Sequence, residues 1–452
     1  MYKLLAGCCA LLLLGAVTAA QKAPVADDAI VTKAKAIHEK AISIDTHVDI
    51  GGATYATPAL DPGTRTNLKC DLVKMKEGGL KGVFLAVYVG QRPGPWDAAA
   101  YKAAYDQAMV KFDALHRLTE KMHPELCELA TSPEDVERIA KTGKRVIMTG
   151  VENGYPIGDD LGNVKKFYDL GARYITLTHS GHNQLGDSSS DRNPPLYKGL
   201  SDFGKKVVVE MNRLGVMIDV SHIAESSFWD VIKLSKAPII ASHSGCKAVN
   251  DVDRNLTDDQ LKALAKNGGV IQIVALASYL KSESPERTEA LRKLAEEFPL
   301  AARGGRGGRG GAPGGQAGAG RGQAGQAGGQ RGQAPPLTPE QEAERQKQLA
   351  AYQERRKEVD TKYPAVVVTL KEYGDHIDHA VKVAGIDHVG IGTDFDGGGG
   401  FQGFNDHSEA LNVTIELVKR GYSEKDIMKI WGGNLLRVWR DVRKEAQKEQ
   451  GK

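Results

Sequence analysis

Apolar residues fall along this chain in short, nearly continuous blocks. Longer stretches with helical periodicity separate them. Eight blocks stand out in order: "AISIDTHVDI" (41–50), "GVFLAVYVG" (82–90), "RVIMTGVENG" (145–154), "ARYITLTHS" (172–180), "GVMIDVSH" (215–222), "APIIASHS" (237–244), "GGVIQIVALAS" (268–278) and "DHVGIGTDFDG" (387–397). Their length and β-branched content predict strands buried on both faces. The intervening stretches, such as "SDFGKKVVVEMNRLG" and "NLTDDQLKALAKNGG", begin with polar capping residues and end in glycine, as helices do. Strands alternating with helices predict parallel pairing, and eight such units predict an α/β fold of the (β/α)8 TIM-barrel type.

One segment breaks the alternation. Residues 303–336 are rich in Gly, Arg and Gln and contain no carboxylate and no large apolar side chain. They cannot bury enough surface to offset the entropy of ordering, so this tract is expected to be disordered. Ser284–Pro285 and Thr338–Pro339 read as helix starts on either side of it. The whole excursion, 281–362, is therefore an insertion between the seventh and eighth barrel strands.

The first 21 residues, "MYKLLAGCCALLLLGAVTAAQ", carry a basic start at Lys3, an apolar stretch and the small residues Thr18, Ala19 and Ala20. This pattern predicts a secretory signal peptide over 1–20, leaving a barrel domain over 21–445 in an exported protein, periplasmic or secreted. "LAGC" ending at Cys8 also has the form of a lipoprotein box, and membrane association would follow only from lipidation there. Export permits a disulfide, with Cys70–Cys127 the candidate pair and isolated thiols at Cys70, Cys127 and Cys246 the alternative. The 452 residues are 41% hydrophobic, and 60 basic against 57 acidic residues give a net charge of +3. That balance gives no basic surface for nucleic acid or lipid. Arg-Gly-Gly tracts can bind RNA, but in an exported chain no nucleic-acid partner is expected.

Candidate chemistry lies at the strand ends. Asp45, His47 and Asp49 interrupt the first block at intervals of two, so on a regular strand they share one face. Glu152 ends the third block, His179 the fourth, His222 the fifth and His243 the sixth, while Asp394 and Asp396 lie in the eighth. In a (β/α)8 barrel all these ends converge on one face. A lone strand-end histidine or carboxylate has a structural explanation, but this set recurs at the same end of six strands. Imidazoles and carboxylates together are a zinc donor set, and two ions sharing one carboxylate are the simplest arrangement of so many ligands. Cys246, three residues after His243, reads as a buried spectator thiol.

"IDTHVDI", "GVENG", "RYITLTHS", "LGVMIDVSH", "PIIASHS", "DVDRN" and "DHVGIGTDFDG" occur in this order, and the chain resembles the membrane dipeptidase (renal dipeptidase-like) family of zinc peptidases from about Ile42 to "GGNLLRVW" at 432–439. The resemblance implies a binuclear Zn²⁺ centre of the amidohydrolase kind. His47 and Asp49 would bind one zinc and His222 and His243 the other, with Glu152 bridging. His179 would contact the scissile carbonyl, Arg254 would grip the substrate carboxylate, and Asp394 would handle the proton. His182 and Asp396 receive no direct role. The implied reaction is hydrolysis of a dipeptide by a metal-bridging hydroxide. N-acyl amino acids or β-lactams are alternative substrates, and a catalytically silent metal-binding barrel is the non-enzymatic alternative. The candidate assembly is a homodimer, which the sequence leaves open.

Overall fold

The computed structural model describes residues 28–91, 96–303 and 338–451. The expected signal peptide lies outside the described residues. So does the expected disordered tract, apart from Arg303 at the end of a helix.

The described residues form nine strands: β1 (Ile44–Asp49), β2 (Gly82–Tyr88), β3 (Cys127–Leu129), β4 (Arg145–Glu152), β5 (Ala172–Thr176), β6 (Met217–Asp219), β7 (Ile240–Ser244), β8 (Val270–Val274) and β9 (Val389–Gly392). The sheet order is β1-β2-β4-β5-β6-β7-β8-β9, with β3 paired to β4 off this path. The ring closes where Val48 bridges Phe395 in parallel, with Asp49 N–H donating to Phe395 O (2.9 Å) and Asp394 N–H to His47 O (3.0 Å). The result is a parallel eight-stranded (β/α)8 barrel, each of its strands lying in one of the apolar blocks. The unanticipated β3 pairs with Arg145–Ile147, the start of β4, below the point where β5 joins at Thr149.

Burial explains why these blocks are strands. Every residue of β2, β5, β7 and β8 is buried, as expected for a sheet covered by helices outside and filled inside. The C-terminal helix Asn434–Glu449 packs Leu435, Val438, Trp439 and Val442 against Ile44, Phe84, Val146, Met217 and Val270, closing the end where the strands begin. The other end, where the strands finish, is left for the polar side chains.

The helix starts follow their caps. Ser201, Thr257, Ser284 and Thr338 each accept a hydrogen bond from the backbone three residues on. The described residues of the insertion form helices Pro285–Glu297, Pro299–Arg303 and Pro339–Lys362. The buried Arg287 fastens it by donating to Asp360 Oδ1 (2.7 Å) and Tyr363 O. At its root, Asn250 and Asn255 donate to Tyr279 O at 3.2 and 2.8 Å, tying it to the loop that carries Arg254. No described helix is long and apolar enough to cross a membrane.

The Cys70–Cys127 disulfide does not form. Cys70, Cys127 and Cys246 are all buried free thiols. Cys127 Sγ lies 3.5 Å from His123 O, and Cys246 Sγ lies 3.4 Å from His376 O.

Candidate metal centre

β1 and β7 deliver His47 and His243 from within the strands, and β4 ends on Glu152. His179 and His222 stand three residues past β5 and β6, and Asp394 two past β9. Reaching inward from these turns bends the backbone. Six described non-glycine residues have positive φ, and four of them flank the centre: Asn153 (73°), His222 (71°), Asp394 (59°) and Asp396 (60°). Left-handed backbone costs about 1–3 kcal/mol per residue and concentrates where function demands a geometry. Gly397 is required for a different reason. A Cβ there would collide with carboxylate oxygens of both Asp394 and Asp49.

Among the described residues, three overlapping groups could each hold a metal ion: His47–Glu152–His243, Glu152–His179–His222 and His47–Asp49–Asp394. Within each group the ligand atoms lie within 4.8 Å of one another. Glu152 is central. Its oxygens lie 3.6 Å from His47 Nε2, 3.6 Å from His179 Nε2, 3.1 Å from His222 Nε2 and 3.5 Å from His243 Nε2. His222 and His243 bring their Nε2 atoms to 2.8 Å. Seven of the side chains picked from the sequence thus converge in one largely buried cluster.

The electrostatics reflect this crowding. Burial opposes charge on His47, but Glu152, then Asp49 and Asp394, outweigh it and push the imidazole up to about 9. His243 moves the other way, lowered first by burial and then by the neighbouring imidazoles of His47 and His222.

The donors suit a divalent metal such as zinc. His47 Nδ1 lies 2.9 Å from Tyr174 Oη, which lies 3.2 Å from Thr46 O. A carbonyl only accepts, so the Tyr174 hydrogen goes to Thr46 and its oxygen accepts from His47 Nδ1–H. In its neutral form His47 therefore keeps its lone pair on Nε2. That atom is buried, has no hydrogen-bond partner among the described residues and faces Glu152. An imidazole fixed with its free nitrogen toward a carboxylate is the ligand form metals take.

Arg254 is 6% exposed, with its guanidinium over the Tyr279 ring (5.4 Å) and Nη2 donating to His243 O at 3.4 Å. Its Nε has no hydrogen-bond partner, and no acidic side chain pairs with it, among the described residues.

One expectation needs correction. Asp45 does not point into the mouth with His47 and Asp49. Its carboxylate accepts from Thr393 N–H (2.8 Å) and pairs with His407 Nε2 (2.8 Å). The β1–β2 register shifts between Asp45 and Val48, which breaks the strict alternation. Asp396 accepts Lys69 and Cys70 N–H groups (2.8 and 3.1 Å), and burial raises its pKa to about 6. His182 organises its own loop, accepting Ser188 N–H (3.0 Å) and lying 3.2 Å from Asn193 O. Sequence reasoning missed Tyr174, whose only signal is a glycine across the sheet: Gly150 pairs with it, and a Cβ there would strike its ring. It also missed Tyr88, whose ring lies 4.6 Å from that of His179.

A (β/α)8 barrel that gathers imidazoles and carboxylates at its strand ends has the architecture of a metal-dependent hydrolase. The chain belongs to the membrane dipeptidase family (peptidase family M19), whose sequence profile it matches over residues 31–452. It is similar to dipeptidase tcpJ of Claviceps purpurea (strain 20.1), 28% identical over 384 residues, 84% of this chain and 71% of that protein. Dipeptidase verJ of Clonostachys rogersoniana is 29% identical over 386 residues, 84% of this chain and 77% of that protein. The crystal structure of the probable dipeptidase PvdM from Pseudomonas aeruginosa superposes with a TM-score of 0.74 at 32% identity, covering 92% of this chain and 99% of that one. The protein is accordingly a dipeptidase of the metallopeptidase class, a hydrolase acting on peptide bonds, with a metal cofactor.

Proposed function

We propose that the protein is a two-zinc dipeptidase in which His47 and Asp49 would hold one ion, His222 and His243 would hold the other, and Glu152 would serve both. The observation that carries this reading is the meeting of four Nε2 atoms on the single buried carboxylate of Glu152. When bound, zinc would supply a water activated at neutral pH and polarise the scissile carbonyl.

The chain's own residues do the remaining work. Asp394 takes the proton that the attacking water loses and gives it to the departing amine, breaking the C–N bond. Its carboxylate and that of Asp49 lie together against Gly397. His179 donates a hydrogen bond to the carbonyl oxygen as negative charge develops there. Arg254, buried and without an acidic partner among the described residues, binds the substrate's terminal carboxylate in a bidentate fork. The burial of these groups excludes bulk water.

The substrate class is tested with a panel of dipeptides, their C-terminal amides, N-acyl amino acids and a β-lactam. Preference for free dipeptides supports the reading, and preference for N-acyl amino acids or the β-lactam overturns it. The N-terminal run of residues 1–21 supports export to the periplasm or medium, with lipid anchoring only if Cys8 is acylated. Fractionation of cells producing the full chain tests that proposal, and a cytoplasmic, uncleaved product contradicts it.

A further inference from the structure

Asp219, the last residue of β6, is a fully buried carboxylate that takes no part in the proposed catalysis. Its Oδ1 accepts Ser221 N–H (3.0 Å) and Ser242 N–H (2.8 Å). Its Oδ2 accepts the hydroxyls of Ser242 (2.6 Å) and Thr176. Four donors from β5, the turn after β6 and β7 thus meet on this group. Burial raises its pKa, and the four hydrogen bonds oppose that rise.

The Ser242 hydroxyl has one hydrogen, and it is committed to Asp219. Ser242 Oγ also lies 2.8 Å from His243 Nδ1. With its hydrogen spent, the oxygen can only accept, so His243 carries its hydrogen on Nδ1. The lone pair is then on Nε2, which faces Glu152 Oε1 at 3.5 Å and His222 Nε2 at 2.8 Å.

We propose that Asp219 is a positioning residue for the metal centre: through Ser242 it fixes His243 in the tautomer whose Nε2 can bind a metal ion. This rests on the reading that His243 is a metal ligand. Asp219 touches neither substrate nor metal, and its effect is carried by the direction of two hydrogen bonds. Direction makes the proposal sharp. In Asp219→Asn, the amide oxygen can keep the two backbone N–H groups, while the amide nitrogen, replacing Oδ2, donates to Ser242. The Ser242 hydroxyl then turns its hydrogen toward His243 Nδ1, which drives the imidazole proton onto Nε2 and blocks the metal. An almost isosteric change thus reverses the relay without emptying space.

The test is zinc affinity of the metal-stripped full chain, read by competition with a chromophoric chelator. Asp219→Asn should weaken zinc binding about 10–100-fold, the usual cost of losing an outer-shell partner. Ser242→Ala should weaken it less, and Ser242→Thr, which keeps the hydroxyl, should bind as wild type. The decisive arm is the double variant. Removing the misdirected hydroxyl from Asp219→Asn should raise its zinc affinity toward that of Ser242→Ala, a sign reversal that a merely structural role would not produce. The proposal falls if Asp219→Asn binds zinc as wild type, or if Ser242→Ala lowers affinity by the same factor in both backgrounds. Should Asp219→Asn fail to fold, the serine pair decides: weakened Ala with restored Thr supports the relay, and equal affinities overturn it. His243→Ala separates the two levels. If it binds zinc as wild type, the ligand assignment itself falls; if it loses zinc while Asp219→Asn does not, only the relay falls.

Discussion

Replacing Arg254 tests substrate recognition with a magnitude that can be worked from the structure. Arg254 is 6% exposed, its guanidinium donates to His243 O at 3.4 Å, and its Nε has no partner among the described residues. A substrate carboxylate would complete this set with two charge-assisted hydrogen bonds, each contributing about 1.5–3 kcal/mol. Arg254→Ala should therefore cost about 3–6 kcal/mol of transition-state stabilisation for a dipeptide, a loss of roughly 10²–10⁴-fold in kcat/KM at 1.4 kcal/mol per decade. Arg254→Lys keeps the charge but loses the planar fork, and should fall between wild type and Ala. Zinc content should be unchanged in both. The assay pairs each enzyme with a dipeptide and its C-terminal amide. Amidation should cost the wild type about as much as Arg254→Ala does, and should cost Arg254→Ala little further, because the contact is already gone. If amidation lowers kcat/KM by the same factor in both enzymes, Arg254 does not hold the carboxylate.

Three further outcomes are expected. Asp394→Asn, which tolerates the same left-handed backbone (φ 59°), should keep its zinc while kcat falls about 10²–10⁴-fold; wild-type kcat would remove Asp394 from the proton path. Tyr174→Phe fills the same space but cannot accept from His47 Nδ1, so zinc affinity by chelator competition should drop about 10–100-fold with the fold intact; unchanged affinity would show that this hydrogen bond does not orient His47. Burial lowers the His38 pKa to about 4 from its ordinary 6.5, so the unfolded chain binds the extra proton first and stability should fall as pH drops through that window. The loss is about 3 kcal/mol from this group, and His38→Gln should narrow the gap in Tm between pH 7 and pH 4.5; an unchanged gap contradicts the assignment.

The barrel was legible because doubly buried strands leave long apolar blocks, and such blocks need no tertiary knowledge to find. β3 was not, since three residues, Cys127–Leu129, are too short for a pattern and pair only where β5 has yet to begin. The metal cluster was legible because its members sit at strand ends, where position along the chain fixes position around the mouth. The same reasoning misplaced Asp45, since alternation assumes a regular strand and the shift after Asp45 cannot be seen in sequence. Tyr174 reads as one more aromatic in a buried strand. Its role needs the distance to His47 across the barrel interior, and only the facing Gly150 hints at the space it occupies. Arg254 was singled out by resemblance alone, and its burial without an acidic partner among the described residues is what gives that choice a physical basis.

The central claim is that paired metal ions held around Glu152 make this chain a dipeptidase. It is tested most directly by stripping the purified full chain of metal and titrating Zn²⁺ back while following dipeptide hydrolysis and bound zinc together. The stripped protein should show no hydrolysis, and activity should recover fully at two zinc ions per chain. Glu152→Gln should fail to reach that stoichiometry. Undiminished hydrolysis by protein that elemental analysis shows to be free of transition metal would contradict it.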